Sequence, residues 1–240
     1  MQRQAFIQGA RDTIPLVLGA IPFGIVYGAL AINSGLSGEA AFAMSALVYA
    51  GSAQFIAAGL VAEGVSIALI ILTTFVVNLR HMLYAASVGP FLKHLPESWR
   101  ATLAFFLTDE TYAVSIIQFA KEDRSEHPEW YMAGSSAAMY INWQICTLIG
   151  IVAGQRFENA IELGLDFAMV VTFIGLVVPL IITRPMLASA LSAAVSSILL
   201  NGLPNRAGLL IAALIGVAVG VIAEMLQKDS PSPIASEAQS

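Results

Sequence analysis

Four ionisable residues lie inside two apolar stretches of a chain that carries little charge elsewhere. Arg80 and His81 interrupt one stretch, and Asp109 and Glu110 occupy the middle of another. A charge at the centre of a bilayer costs about 2.5–3.5 kcal/mol on insertion scales, so each such group needs a partner or a wet cavity. We expect Arg80 to pair with Asp109 or Glu110 through directed hydrogen bonds. Such a pair either fixes helix register or forms part of a site where a carboxylate or imidazole binds substrate or carries protons.

The composition explains why these charges are expensive. The chain has 240 residues, of which 58% are hydrophobic and 11% charged, whereas soluble domains carry about 25% charged residues. Its mean hydropathy of +0.78 indicates that lipid is the solvent for much of its surface. The net charge of −5 is scattered, so no nucleic-acid partner is expected. The single Cys146 supports neither an intramolecular disulfide nor a metal site, and no cofactor is predicted.

The spacing of apolar stretches predicts an all-α, polytopic integral membrane protein with about seven or eight transmembrane segments. We predict one transmembrane domain over residues 1–227 and a disordered tail over 228–240, which is rich in Ser and Pro. The predicted segments cover residues 13–38, 40–62, 65–88, 101–119, 130–155, 163–183, 186–203 and 207–226.

The basic residues give conflicting indications of topology. Lys and Arg in short loops favour the cytoplasmic side, which places both Arg3 with Arg11 and Lys93 with Arg100 there. Three full crossings between these regions would put them on opposite sides. The conflict disappears if the second segment is broken near Gly51 and is re-entrant, which is tolerated only where protein or a water-filled cavity covers its backbone.

Further residues are candidates for the same site. Pro22 and Gly24 loosen the first segment, so a break there would expose backbone groups, although a simple kink is the alternative. Ser52 and Gln54 follow the Gly51 break and could line a pocket, or bond only to nearby backbone. The remaining candidate positions adjoin the charged pairs and are Asn78 and Tyr112.

Four motifs in this order resemble the AzlC-type family of bacterial branched-chain amino acid permeases, also called azaleucine-resistance proteins. They are Ile21-Pro22-Phe23-Gly24, Ala50-Gly51-Ser52-Ala53-Gln54-Phe55, Asn78-Leu79-Arg80-His81 with Tyr84, and Thr108-Asp109-Glu110-Thr111-Tyr112. The resemblance covers essentially the whole chain, but its motifs are concentrated in the first 115 residues.

The resemblance implies a multi-pass protein of the bacterial inner membrane that exports leucine, isoleucine and valine, with methionine as a further candidate. It also implies a second subunit, a small membrane protein of the AzlD type. The chain has no Gly-x-x-x-x-Gly-Lys-Ser/Thr loop, so we do not expect it to hydrolyse ATP itself. We expect a secondary transporter driven by the proton gradient, not an enzyme.

Three alternatives remain open at this point. Ser52 and His81 could act as nucleophile and base of an intramembrane hydrolase, although Gly-x-Ser-x-Gly is missing. The chain could be a scaffold for a small transporting partner. It could also transport a different apolar solute, because one sequence does not distinguish valine from methionine.

Overall fold

The computed structural model describes residues 1–121, 127–156, 178, 181–202 and 207–228. The chain divides into two compact units, Met1–Met169 and Val170–Ser240. The predicted all-α class is confirmed by the helices that fill the described ranges. They are α1 (Gln2–Asp12), α2 (Ile14–Asn33), α3 (Gly38–Leu47), α4 (Gly51–Ala62), α5 (Ile67–Asn78), α6 (Arg80–Val88), α7 (Glu97–Phe105), α8 (Asp109–Phe119), α9 (Pro128–Arg156), α10 (Arg184–Leu199) and α11 (Ala207–Lys228).

The first unit is built on two long parallel rods, α1 with α2 and α9. Gly9 packs on the backbone at Tyr131, and Gly28 packs on the backbone at Thr147, so the two rods run in the same direction. Since lipid gives helices no hydrophobic reason to associate, this close contact of small residues provides the packing energy. We call the end with Met1 and the start of α9 the near end, and the end with Asn33 and Arg156 the far end.

Helices α3 and α4 form a hairpin, the first hairpin, that enters from the far end. Gly38 at the start of α3 contacts Gln155, whereas the carbonyl of Ala46 accepts a 3.2 Å hydrogen bond from Tyr140, halfway along α9. The chain breaks at residues 48–50, and α4 then turns back, so that Phe55 lies against Tyr27 of α2. Both arms therefore lie on the far side of the tip.

The polypeptide on either side of this hairpin has a sequence that stops and starts helices. Ser37 caps α3, because its side chain accepts a hydrogen bond from the amide of Ala40 at 3.1 Å. Gly35 and Gly64, with φ of 89° and 67°, make the turns that precede α3 and follow α4. A residue with a Cβ rarely adopts these angles, so glycine is favoured on both sides of the first hairpin.

Helices α7 and α8 form a second hairpin, which enters from the near end. Trp99 on α7 meets Trp130 at the start of α9, with ring centroids 5.2 Å apart. Phe106 at the tip lies 5.0 Å from Tyr140, halfway along α9, and Phe119 returns to Tyr131 near its start. The prediction that the fourth segment is one helix over 101–119 that crosses the membrane is thus wrong, because the chain folds back at residues 106–108.

Helices α5 and α6 connect the two hairpins. They are separated only by a tight turn at Leu79, and their 22 residues from 67 to 88 extend about 33 Å, enough for one crossing. Leu92 beyond them belongs to the near-end core with Ala5 and Tyr131, so the chain crosses from far end to near end here.

The first unit therefore contains an inverted repeat. A long helix followed by a hairpin runs first as α1 to α4 and then, in the opposite direction, as α5 to α8. One contact recurs at the same separation in both halves: Tyr27 with Phe55, and Tyr84 with Tyr112. The repeat was not recognised in the sequence, because few of the aligned residues are identical.

The near end carries most of the positive charge in the described part of the first unit. Its Lys and Arg residues other than Arg80 and Arg156 lie there, namely Arg3, Arg11, Lys93, Arg100 and Lys121. The two basic regions that gave conflicting topologies in the sequence are thus at one end. The re-entrant first hairpin is what brings them together.

Other predicted segments have mixed outcomes. Three helical stretches are long and apolar enough to span a membrane, namely Gln2–Asn33, Ile67–Leu92 and Pro128–Arg156. The break predicted near Pro22 is wrong, since α2 stays helical through it. Segment 163–183 lies mostly outside the described residues, as does the tail from 229 onward, and the single domain over 1–227 stays a prediction.

The second unit is an α-helical hairpin of α10 and α11. Gly216 lies against Ala193, and Gly220 against Ser189. The Ser189 hydroxyl donates a 2.8 Å hydrogen bond to the Gly216 carbonyl. These small residues recur four apart, which is the spacing that lets helices pack closely in lipid.

The contact between the long rods gives a first prediction. A Cβ on Gly150 would overlap the Ile25 carbonyl, whereas a Cβ on Gly19 meets nothing within 4 Å. We expect Gly150→Ala to lower the free energy of unfolding by about 1–3 kcal/mol through overpacking. Gly19→Ala, the matched control, should leave it unchanged or raise it slightly. Thermal unfolding in detergent measures both, and equal melting temperatures for Gly150→Ala and the parent would contradict the packing.

Candidate substrate site

The two hairpin tips meet in the middle of the first unit. Tyr49 of the first tip lies 6.3 Å from Phe106 of the second, and both pack on Tyr140 of α9, at 4.8 and 5.0 Å between ring centroids. Tyr49 has φ of 43°, an unusual backbone conformation for a residue with a side chain. Such strain persists only where the surroundings enforce it, and it is often found at functional sites.

Arg80 joins the two hairpins beside these tips. Its Nη1 donates to Asp109 Oδ2 and its Nη2 donates to Ser52 Oγ, each at 2.6 Å. Ser52 belongs to the first turn of α4, and Asp109 is the first residue of α8. The predicted pairing of Arg80 with a carboxylate of the fourth segment is therefore present, and the planar fork of a guanidinium is what allows both bonds at once.

The helices after each break begin at this centre. The amides in the first turn of a helix have no helical partner and carry the positive end of the helix dipole. In α8, the threonines satisfy part of this need: Thr108 N donates to Thr111 Oγ1 at 2.7 Å in a capping box. In α4, Ala50 has no side chain that can cap, so the amides of residues 51–53 remain available to a ligand or water.

Several buried polar atoms around the centre have no hydrogen-bond partner among the described residues. A buried donor or acceptor left unpaired costs about 1–3 kcal/mol, so a native protein rarely leaves a group of them unsatisfied. The Arg80 and Asp109 side chains remain 26% and 34% exposed, so the described residues do not enclose the pair completely. The unpaired atoms are Tyr49 Oη, Gln54 Nε2, Asn78 Oδ1, Arg80 Nε and Asp109 Oδ1.

The neighbours of the charged pair also lie at the centre. Glu110 follows Asp109 and is close enough to Arg80 and Tyr49 to interact electrostatically with both. His81 follows Arg80, and its ring centroid is 5.9 Å from that of Tyr84. The structure therefore brings Arg80, His81, Asp109 and Glu110 together, as expected.

Two predicted residues lie about one helical turn from the centre, on opposite sides. Gln54 is fully buried toward the far end, where its Oε1 accepts a 3.2 Å hydrogen bond from Trp143 Nε1. Tyr112 lies toward the near end, stacked on Tyr84 at 4.6 Å, and its hydroxyl donates to Ser87 Oγ at 3.1 Å. They flank the centre rather than form it.

The two α2 candidates have different environments. Pro22 is exposed on a continuous helix, so it exposes no broken backbone to the Arg80 centre. Gly24 packs against α9, where an added Cβ would lie 2.6 Å from Cys146 Cβ. The structure gives Gly24 a role in helix packing, and a role of either residue in substrate binding stays a prediction.

The aromatic residues at the hairpin tips were not predicted from the sequence. Tyr49, Phe106 and Tyr140 are ordinary residues of apolar stretches, and no spacing rule connects them. Tyr84 stood in a quoted motif without a role. Tyr49 directly precedes the Ala50-Gly51 break, which is the one signal that could have drawn attention to it.

The geometry also bears on the hydrolase alternative. Ser52 Oγ accepts a hydrogen bond from the Arg80 guanidinium, and the described side chains of Ser52 and His81 share no hydrogen bond. A guanidinium stays protonated in proteins and cannot act as the general base that a serine nucleophile requires. The arrangement thus favours binding over nucleophilic catalysis by Ser52.

The first unit combines an inverted repeat, re-entrant hairpins that meet halfway along it, and unpaired polar groups at the hairpin tips. These features define a class of membrane protein. This is the organisation of membrane transporters, in which discontinuous helices present their ends to a solute near the bilayer midplane.

Comparison with known proteins gives the family. The model of the AzlC protein family matches residues 15–157, which span α2 to α9 and hence all the groups of the centre. The chain belongs to the AzlC family.

Two relatives carry informative names. The inner membrane protein YgaZ of Escherichia coli is 27% identical over 92% of this chain and 90% of its own length. The branched-chain amino acid transport protein AzlC of Bacillus subtilis is 27% identical over 71% of this chain and 65% of its own length. An uncharacterised membrane protein of Helicobacter pylori is 31% identical over 72% of this chain and 74% of its own length. No solved structure matches. This chain is thus a multi-pass inner-membrane protein of a transport family.

The bridge at Arg80 gives a second prediction, which concerns stability. Removing either member of a close ion pair leaves the other charge uncompensated, so Arg80→Ala and Asp109→Ala should each destabilise the protein. The double variant should be less destabilised than the sum of the singles, by about 0.5–3 kcal/mol. Unfolding of the purified variants measures this coupling.

Arg100→Ala combined with Asp109→Ala is the matched control, since Arg100 is exposed near the near end. Its effects should be additive. Additive effects for the Arg80 cycle as well would show that the pair contributes nothing beyond its separate charges.

Proposed function

We propose that this protein is a secondary transporter that exports the branched-chain amino acids leucine, isoleucine and valine, with methionine as a further candidate, driven by the proton gradient. The observation that carries the proposal is the Arg80 centre between two hairpin tips, with unpaired donors and acceptors beside an aromatic cluster. The printed name of the Bacillus subtilis relative supports amino acids as the cargo class.

The centre suits the two ends of a zwitterion. The uncapped amides of α4, with the unpaired Nε of Arg80, offer donors for an α-carboxylate. The unpaired Oδ1 of Asp109 and Oδ1 of Asn78 offer acceptors for an α-ammonium group. Both sets lie at one centre, so a single α-amino acid can use donors and acceptors together.

The aromatic cluster supplies selectivity for apolar side chains. Tyr49, Phe106 and Tyr140 form an apolar wall beside the polar groups. A branched aliphatic side chain gains by burying its surface there, whereas a polar side chain would lose its hydrogen bonds to water. Polar amino acids are therefore rejected.

The two carboxylates have different surroundings and hence different roles. Asp109 is bonded to Arg80, whereas Glu110 makes no ion pair with a described residue. A buried carboxylate without a bonded cation can exchange a proton more readily than one that is paired. We assign Glu110 as the proton carrier, and Asp109 as the counter-charge of Arg80 and a ligand of the solute.

The charge distribution orients the proposed exporter in the membrane. The near end, with its basic residues, is the cytoplasmic side by the positive-inside rule. An exporter takes its solute from this side, through the second hairpin, and releases it at the far end. A small AzlD-type membrane protein is the proposed second subunit, and reconstitution with and without it also distinguishes a transporter from a scaffold for a transporting partner.

The carboxylate roles give a third prediction. Glu110→Gln should reduce proton-driven efflux of labelled leucine at least tenfold, about 1.4 kcal/mol, but keep leucine exchange across the membrane. Asp109→Asn should reduce both, because it disturbs the binding centre. Efflux and exchange from loaded vesicles are the measurements, and the exposed Glu39→Gln is the control.

Normal proton-driven efflux in Glu110→Gln, with normal expression, would remove the assigned proton role. Arg80→Lys should also impair both activities, because an ammonium group cannot reproduce the fork.

The cargo is tested in a fourth prediction. Cells that produce the protein should tolerate toxic branched-chain amino acid analogues better than cells without it, because export lowers the internal concentration. Growth with increasing analogue is the measurement, and a toxic polar amino acid analogue is the control. Equal sensitivity of both strains to the branched-chain analogue would reject this cargo.

A further inference from the structure

We propose that the two hairpins are the two gates of an alternating-access cycle, with the Tyr27–Phe55 contact as the far gate and the Tyr84–Tyr112 contact as the near gate. The inference deepens the proposed function by assigning the residues that open and close, and it rests on that function only in placing the solute at the hairpin tips.

The position of the two contacts relative to the centre supports this assignment. Phe55 lies one turn beyond Ser52 on α4, toward the far end, and Tyr112 lies one turn beyond Asp109 on α8, toward the near end. Each pair links the returning arm of a hairpin to the long helix of its own repeat. Separating either pair therefore opens a route from the centre to one end only.

The inverted repeat supplies the second conformation. Two similar halves that enter from opposite ends can exchange conformations, so an opening available to one hairpin is available to the other by symmetry. Both aromatic contacts are made in this structure, with ring centroids 5.9 and 4.6 Å apart. The structure thus corresponds to a state with both gates closed.

The two gates differ in how firmly they are held. Tyr27 is fully buried, Phe55 is buried, and the Tyr27 hydroxyl donates a 3.0 Å hydrogen bond to the Ala41 carbonyl. Tyr84 and Tyr112 are only half-buried. The near gate is also tied by the hydrogen bond from Tyr112 to Ser87 of α6, but it buries less of its aromatic surface, so it is the one expected to open first, toward the side with the basic residues.

Arg80 connects the gates to the solute. It donates one hydrogen bond to the first hairpin, at Ser52, and one to the second, at Asp109. Movement of either hairpin changes one bond and keeps the other. A bound carboxylate competes with Ser52 and Asp109 for the guanidinium. The solute therefore interacts differently with the two one-gate-closed states, and a conformational change requires such a difference.

The turns around the first hairpin allow it to move. Gly35 and Gly64 flank it with positive φ and have nothing within 4 Å of an added Cβ. Hinges absorb large changes of backbone angle at a few such residues.

The experiment locks each gate separately. In a Cys146→Ser background, the pairs Tyr27→Cys with Phe55→Cys and Tyr84→Cys with Tyr112→Cys are joined by oxidation to a disulfide or by a short, reducible bis-methanethiosulfonate cross-linker. Asn78→Cys serves as the reporter at the centre, labelled by a charged, membrane-impermeant maleimide added to one side of oriented vesicles. Leucine exchange is measured in the same locked proteins without the reporter.

With the near gate locked, the reporter should react only from the far side, and with the far gate locked, only from the near side. Either lock should reduce leucine exchange to the background of empty vesicles, and reductant should restore both the exchange and the two-sided labelling. Each single-cysteine variant should show the same exchange before and after treatment with the same oxidant or cross-linker, which separates locking from damage.

Other results would overturn the assignment. Labelling from the same side in both locked proteins, or full leucine exchange in a locked protein, rejects these contacts as gates. If the two locks change the side from which the reporter is labelled but the unlocked protein does not exchange leucine, the gate assignment is retained and the cargo assignment is wrong. If the unlocked protein moves leucine and the locks leave the labelled side unchanged, the cargo stands and the gates are wrong.

Discussion

A guanidinium placed at lipid depth constrains everything around it. Arg80 requires an opposite charge and hydrogen-bond acceptors, and it obtains them from two separate hairpins, at Asp109 and Ser52. Each acceptor lies in the first turn of a helix that starts in the interior, so both breaks must come to Arg80. The two hairpin tips thus meet where both can bond to one partly buried cation, Arg80.

The breaks themselves leave backbone groups that lipid cannot satisfy. Irregular backbone is tolerated at this depth only where protein or a water-filled cavity covers it. The second tip solves the problem locally through Thr108 and Thr111, whereas the first tip, with Ala50, leaves its amides uncapped. The asymmetry places the uncapped donors on α4 and the carboxylates on α8, which gives the centre a side rich in donors and a side rich in acceptors.

The charged centre was predictable, because a stranded Arg80 and a stranded Asp109 could each be read from an apolar background. The break at Gly51 was also predictable, since the basic loops otherwise conflicted. The fold of the fourth segment was not, because Phe106 and Leu107 look like uninterrupted helix and the threonine cap gains its meaning only once the chain reverses. The aromatic cluster joins residues far apart in sequence, and such packing follows from tertiary contacts rather than local pattern.

The residues that the family model matches coincide with the elements around Arg80. Residues 15–157 contain the second part of the first rod, both hairpins and α9, which are the elements that contact one another around Arg80. Tyr140 and Trp143 of α9 touch the first tip and the α4 turn, so α9 is the fixed surface against which the hairpins pack. In the proposed cycle, the hairpins move against α9 and the binding groups stay together, because Arg80 keeps a bond to one hairpin when the other moves.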